Sequence, residues 1–205
     1  PKDLKSPELC ELAIKGVLGQ GDNLQFVPKE LKSPELCEIA VKSHGFALAY
    51  VPKELRTPEL CELAIKGVLG QGGNLQFAPY ELRTQELCEI AVKDKGYALE
   101  HVPEELKTLE MCEYAVSRDG YNLEFVPNEF RTEQLCEQAV TQNPYALQYV
   151  PDEHRGIEMC ELALNHVDYD FKDEFLESYV PEAFQEEVLN DLDIDLPKKI
   201  VERGR

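Results

Sequence analysis

Seven cysteines and 40 acidic side chains are the residues of this 205-residue chain with most chemistry to offer. Thiolates could build a redox or metal ladder, and carboxylates could hold cations or move protons. Spacing decides between these readings. Cys10, Cys37, Cys61, Cys88, Cys112, Cys136 and Cys160 are separated by 27, 24, 27, 24, 24 and 24 residues. An odd number cannot pair completely within one chain, and no CxxC occurs. His44, His101, His154 and His166 stand at no metal-ligand spacing. Stacked helices lie about 8–10 Å apart, whereas a disulfide needs Cα atoms within about 7 Å. Each cysteine therefore reads as a small buried hydrophobe at one fixed place in a repeated unit. Reduced thiols fit a cytoplasmic setting.

No catalytic constellation emerges: Ser is scarce, His is dispersed, and no nucleophile–base pair is suggested by spacing. The expectation is a non-enzyme without metal or cofactor. The acids of Asp168, Asp170, Asp173 and Glu174 lack the Gly and Glu of a calcium-binding EF-hand loop and read as an acidic loop. The glycines of residues 15–22 and 66–73 lack the ending of a phosphate loop and read as a turn between helices.

The elements that must position these residues follow from the unit V-P-x-E-L-[KR]-[ST]-P-E-L-C-E-x-A-[VI]-x-x-x-G-x-A-L-x-[FY]. Ser6, Ser33, Thr57, Thr84, Thr108 and Thr132 stand at N-cap positions, and Pro7, Pro34 and Pro58 follow at the first helical position. First-turn glutamates (Glu8, Glu35, Glu59, Glu86, Glu110 and Glu158) meet the positive end of the helix dipole. Glu11–Lys15, Glu38–Lys42, Glu62–Lys66 and Glu89–Lys93 are i,i+4 pairs. These features predict an amphipathic helix of about ten residues that Gly45 and its equivalents end. A shorter helix up to Val-Pro follows, then a 3₁₀-like Pro-x-Glu-Leu turn. A single unit cannot cover its own apolar face, so stacked units must share a core. The expected fold is an all-α solenoid of about seven repeats of 24–27 residues, over residues 1–164. A degenerate last repeat and acidic capping helix and tail occupy residues 165–205. Residues 4–51 and 55–102 agree at 35 of 48 positions, which marks a two-copy block as duplicated. The chain begins inside a V-P-x-E-L unit, as a fragment or trimmed chain would.

Glutamates recur in two further columns. One is Glu11, Glu38, Glu62, Glu89, Glu113, Glu137 and Glu161, partly neutralised by the lysines above. The other, Glu30, Glu54, Glu81, Glu105, Glu129 and Glu153, has no such explanation and is the first candidate for binding a partner. An aromatic column, Tyr50, Phe77, His101, Phe125 and Tyr149, is a weaker candidate, since such rings usually pack between repeats.

Net charge supports a protein partner. At −19, with a pI near 4.6, the chain repels phosphate backbones and anionic membranes. Its 43% hydrophobic content suffices for a core, and no apolar run reaches the roughly 20 residues of a membrane span. The unit resembles a family of short bacterial tandem helical repeats of unknown function, over about residues 3–164. The resemblance implies a bacterial or phage-related origin and no catalytic residues. The architecture is similar to that of leucine-rich repeat variant solenoids. The expected function is a repeat scaffold binding a protein with a basic surface; the alternative is an acidic inhibitor or immunity-type protein that mimics nucleic acid.

Overall fold

The computed structural model describes residues 6–15, 21–67 and 72–192, and these are helical without strands. The chain is an all-α solenoid of tandem repeats, in two compact units, Pro1–Ala115 and Val116–Arg205. The expected boundary between array and cap, residue 164, lies inside the second unit. The α-helices are α1 (Pro7–Lys15), α2 (Pro34–Ser43), α3 (Pro58–Lys66), α4 (Gln85–Asp94), α5 (Leu109–Arg118), α6 (Glu133–Gln142), α7 (Ile157–Asn165), α8 (Lys172–Tyr179) and α9 (Glu182–Asp191).

Every predicted cap forms. The hydroxyl oxygens of Ser33, Thr57, Thr84 and Thr132 accept from the amides of Leu36, Leu60, Leu87 and Leu135 at 3.2–3.3 Å. Ser6 and Thr108 do the same for Leu9 and Met111. Each cap contributes about 1 kcal/mol. Gly156 starts α7 with no side-chain cap, as the degenerate last repeat implies. One face of each helix is buried, as in Leu36, Cys37, Ala40 and Val41 of α2.

The second element of the first six repeats is a six-residue 3₁₀ helix, as in Gly45–Tyr50, Gly96–His101 and Gly120–Phe125. A period of three explains it: Gly45, Leu48 and Val51, like Gly120, Leu123 and Val126, are buried on one eclipsed face. Val51 is extended before Pro52, and a three-residue 3₁₀ turn, Lys53–Leu55, leads to the next cap. The glycines correct one expectation. Gly45 does not end α2, which stops at Ser43 with His44 as its C-cap; Gly45 opens the 3₁₀ helix. At three copies the reason for glycine is a close approach. A Cβ on Gly21, Gly72 or Gly120 would lie 2.2, 2.3 or 2.0 Å from the carbonyl oxygen of Ala40, Ala91 or Ala139 in the following α-helix.

Copies alternate in kind. Asn23, Asn74 and Asn122 occupy the place that Ala47, Ala98 and Ala146 fill in the others. Asn23 and Asn74 donate through Nδ2 to the carbonyls of Ala13 (2.9 Å) and Ala64 (3.0 Å) at the ends of their own nine-residue helices. In the ten-residue α2, α4 and α6 the equivalent carbonyls take backbone amides, from His44, Lys95 and Asn143. In these two copies the asparagine amide satisfies a helix-end carbonyl that a backbone amide satisfies in α2, α4 and α6.

In the second unit, α8 follows α7 where a repeat would place its 3₁₀ helix, and buries Phe175 and Leu176. The polar helix expected near residues 181–192 is α9. Residues 168–174 run through a 3₁₀ turn into α8, so they form no open acidic loop. Among the described residues no His, Cys, Asp or Glu cluster is placed to hold a metal ion, and no helix is long and apolar enough to cross a membrane. Most residues of the expected glycine turns, and the tail after residue 192, lie outside the described residues.

Candidate binding surface

Successive α-helices leave shallow grooves, and the glutamate columns meet in them. The α1–α2 groove, about 330 Å³, gathers Glu11 from one helix, Glu35 from the next, and Glu30 from the connecting turn. The α2–α3 groove, about 230 Å³, brings Glu38 towards Glu59. Between α3 and α4 the space falls to about 100 Å³, and a lysine occupies it: Lys66 Nζ lies 2.6 Å from Glu62 Oε1 and 2.8 Å from Glu86 Oε1. The ammonium holds the Glu86 carboxyl below its usual range. Lys15 pairs with Glu11 and Lys42 with Glu38, whereas Lys93 reaches across to Glu110 at 3.9 Å and leaves Glu89 to Gln85.

The α6–α7 groove of the second unit differs. It measures about 300 Å³ and is lined by Glu133, Glu137, Glu153 and Glu158, with His154 the one basic side chain among its lining residues. The position of Lys66 is Thr141 here. Nearby, burial raises the pKa of Glu161, and the neighbouring acids Asp191, Glu158 and Glu187 add to it.

A cationic column lies behind these grooves. Arg56 donates from Nε to Val51 O (2.9 Å), from one terminal nitrogen to Ala49 O (3.2 Å), and from the other to Phe77 O (2.6 Å) in the next copy. Arg83 does the same for Ala78, Gln76 and His101, and Arg131 for Val126, Glu124 and Tyr149. Lys32 reaches only Tyr50 O, at 2.8 Å. A guanidinium thus fastens the carbonyl end of one 3₁₀ helix to that of the next, where unpaired carbonyls and the dipole favour a cation. Sequence reading assigned this [KR] position no role.

A family model described as a domain of unknown function, DUF4116, matches residues 8–56, 59–107 and 109–155. The chain belongs to the DUF4116 family. No curated protein and no solved structure matches it. Each DUF4116 match spans one Asn-bearing copy followed by one Ala-bearing copy, so the family unit is the alternating pair.

The predicted acidic column of this DUF4116 chain is exposed throughout, on the three-residue turns between repeats. Glu30 and Glu153 line grooves. Glu54 pairs with Lys29 of the preceding turn at 2.8 Å, and Glu105 accepts from the Tyr80 hydroxyl at 2.8–2.9 Å. Glu81 is exposed and does not line the α3–α4 groove, and Glu129 is exposed as well. The aromatic column is half-buried. Phe77 stands edge-on to Phe46 at 5.1 Å, Tyr149 likewise to Tyr121, and Tyr50 contacts Phe46 at 5.7 Å. His101 and Phe125 are also half-buried, and burial lowers the pKa of His101. The groove glutamates are the residues sequence reading undervalued, because a period does not say which columns of adjacent copies face each other.

All seven cysteines are buried and none is in a disulfide. Burial pushes Cys37, Cys88, Cys112, Cys136 and Cys160 up to about 11 and raises Cys61 as well. These six should resist a thiol reagent at about pH 8 until the fold opens, because the thiolate is the reactive form. The folded state favours the neutral thiol, so its stability, intact below about pH 9, should fall as pH rises towards 11. Urea midpoints across that range check this; a flat profile contradicts it.

Proposed function

We propose that this DUF4116 chain is a non-enzymatic, cytoplasmic scaffold that binds a basic segment of a partner protein in its acidic grooves, foremost that between α6 and α7. The observation that carries the reading is Lys66. In the α3–α4 groove this side chain supplies the cation that the facing glutamates Glu62 and Glu86 require. Between α6 and α7 the equivalent glutamates, Glu137 and Glu158, remain, Glu133 and Glu153 are added, and the lysine has become Thr141. An ammonium or guanidinium from a partner would complete that groove as Lys66 completes the other. Carboxylates gathered across one groove attract such a cation more strongly than scattered ones do.

A fluorescent hexalysine peptide at low salt tests the reading by anisotropy. Thr141→Lys should weaken binding about tenfold by filling the groove from within. Glu81→Gln, outside the grooves, should change it little. Equal binding by Thr141→Lys and the parent chain sinks the proposal.

A further inference from the structure

We propose that the outer face of α1 is the seat of one more repeat of this family, of the Ala-bearing kind. Leu9 is 51% exposed, whereas its equivalents Leu36, Leu60, Leu87, Met111, Leu135 and Met159 are between 4% and 7% exposed. Leu12 is 67% exposed, while Ile39, Leu63 and Ile90 in the same place on α2, α3 and α4 are half-buried. Phe26 belongs to the same surface. Phe77 has the same local sequence, Asn-Leu-Gln-Phe, and is half-buried because Phe46 of the preceding copy stands edge-on to it at 5.1 Å; Phe26 is 54% exposed.

The interface that would cover these residues already exists within the unit. A preceding helix covers Leu36, Leu60 and Leu87, and Lys66 and Lys93 reach forward to the first-turn glutamates Glu86 and Glu110. Glu8 holds that glutamate's place on α1. The ring that meets Phe77 comes from an Ala-bearing copy; the same position holds Asp22 or Gly73 in two of the Asn-bearing copies and Tyr121 in the third. The occupant therefore carries an aromatic after its glycine and a lysine five residues after its cysteine, and the alternation of copies ahead of the Asn23 copy makes it Ala-bearing.

A second copy of this chain fits less well. Its own α1 would set Glu8 and Glu11 against themselves, and its last repeat is closed by α9, which buries Val188.

The test supplies such a neighbour. Residues 33–56 are placed ahead of Ser6, and amide hydrogen exchange is measured on the original and extended chains. Exchange in α1 should slow about tenfold or more as Leu9, Leu12 and Phe26 are covered. Phe26→Ala gives a second reading: it should leave the melting midpoint of the original chain nearly unchanged and lower that of the extended chain. Unchanged α1 exchange on extension overturns the proposal. So does an original chain that already sediments as a dimer with α1 protected, since a second copy would then hold the face.

Discussion

Gly120→Ala is expected to destabilise the second unit by about 3 kcal/mol, because the added methyl has nowhere to go. Its Cβ would sit 2.0 Å from the oxygen, 2.8 Å from the carbon and 3.1 Å from the Cα of Ala139. All three are backbone atoms of α6, and the same carbonyl accepts the amide of Asn143 at the helix end. Relief requires α6 to move as a body, away from the 3₁₀ helix that buries Leu123 against it. Gly156→Ser is the companion. Nothing lies within 4 Å of a Cβ there, and α7 has no side-chain cap, so a hydroxyl should add a few tenths of a kcal/mol. Urea unfolding of both variants checks the pair. Gly120→Ala within 0.5 kcal/mol of the parent would mean that the close approach does not constrain the packing.

Arg131→Met should cost about 3 kcal/mol. The guanidinium makes three hydrogen bonds, to Val126, Tyr149 and Glu124, and its half-buried position leaves some of those carbonyls without water when it goes. Arg131→Lys should lose about half as much, since Lys32 shows that an ammonium can still reach the carbonyl of the next copy. Salt distinguishes this role from an ion pair. The loss should be nearly the same at about 0.1 M and 1 M NaCl, because the acceptors are neutral carbonyls, whereas the exposed Glu–Lys pairs are screened. A loss that vanishes at high salt contradicts the clamp.

The α-helices are largely legible in the sequence. Ser33, Thr57, Thr84 and Thr132 announce their helix starts because an N-cap depends on one side chain and the amide three residues on. The buried thiols were legible for the same local reason, a fixed place on an apolar face. Three features were hidden. The 3₁₀ helices show a period of three, as in Gly45, Leu48 and Val51, which is too few residues to separate from a short α-turn. The clamp was masked because Lys and Arg alternate at a place that looks like solvated surface, though a basic residue beside every cap was a signal. The grooves depend on how one copy sits on the next, so Glu62 and Glu86 become neighbours only in three dimensions.

The alternation of Asn-bearing and Ala-bearing copies bears on how such a chain can change length in inheritance. A misaligned exchange between genes that shifts by one copy would set two copies of like kind side by side. Phe77 would then face Gly73 or Asp22 in place of Phe46, and a glycine built to meet Ala40 or Ala91 would meet the wrong helix end. A shift by two copies restores every contact. The agreement of residues 4–51 and 55–102 at 35 of 48 positions fits an event of that second kind. Relatives are expected to differ in length by even numbers of copies.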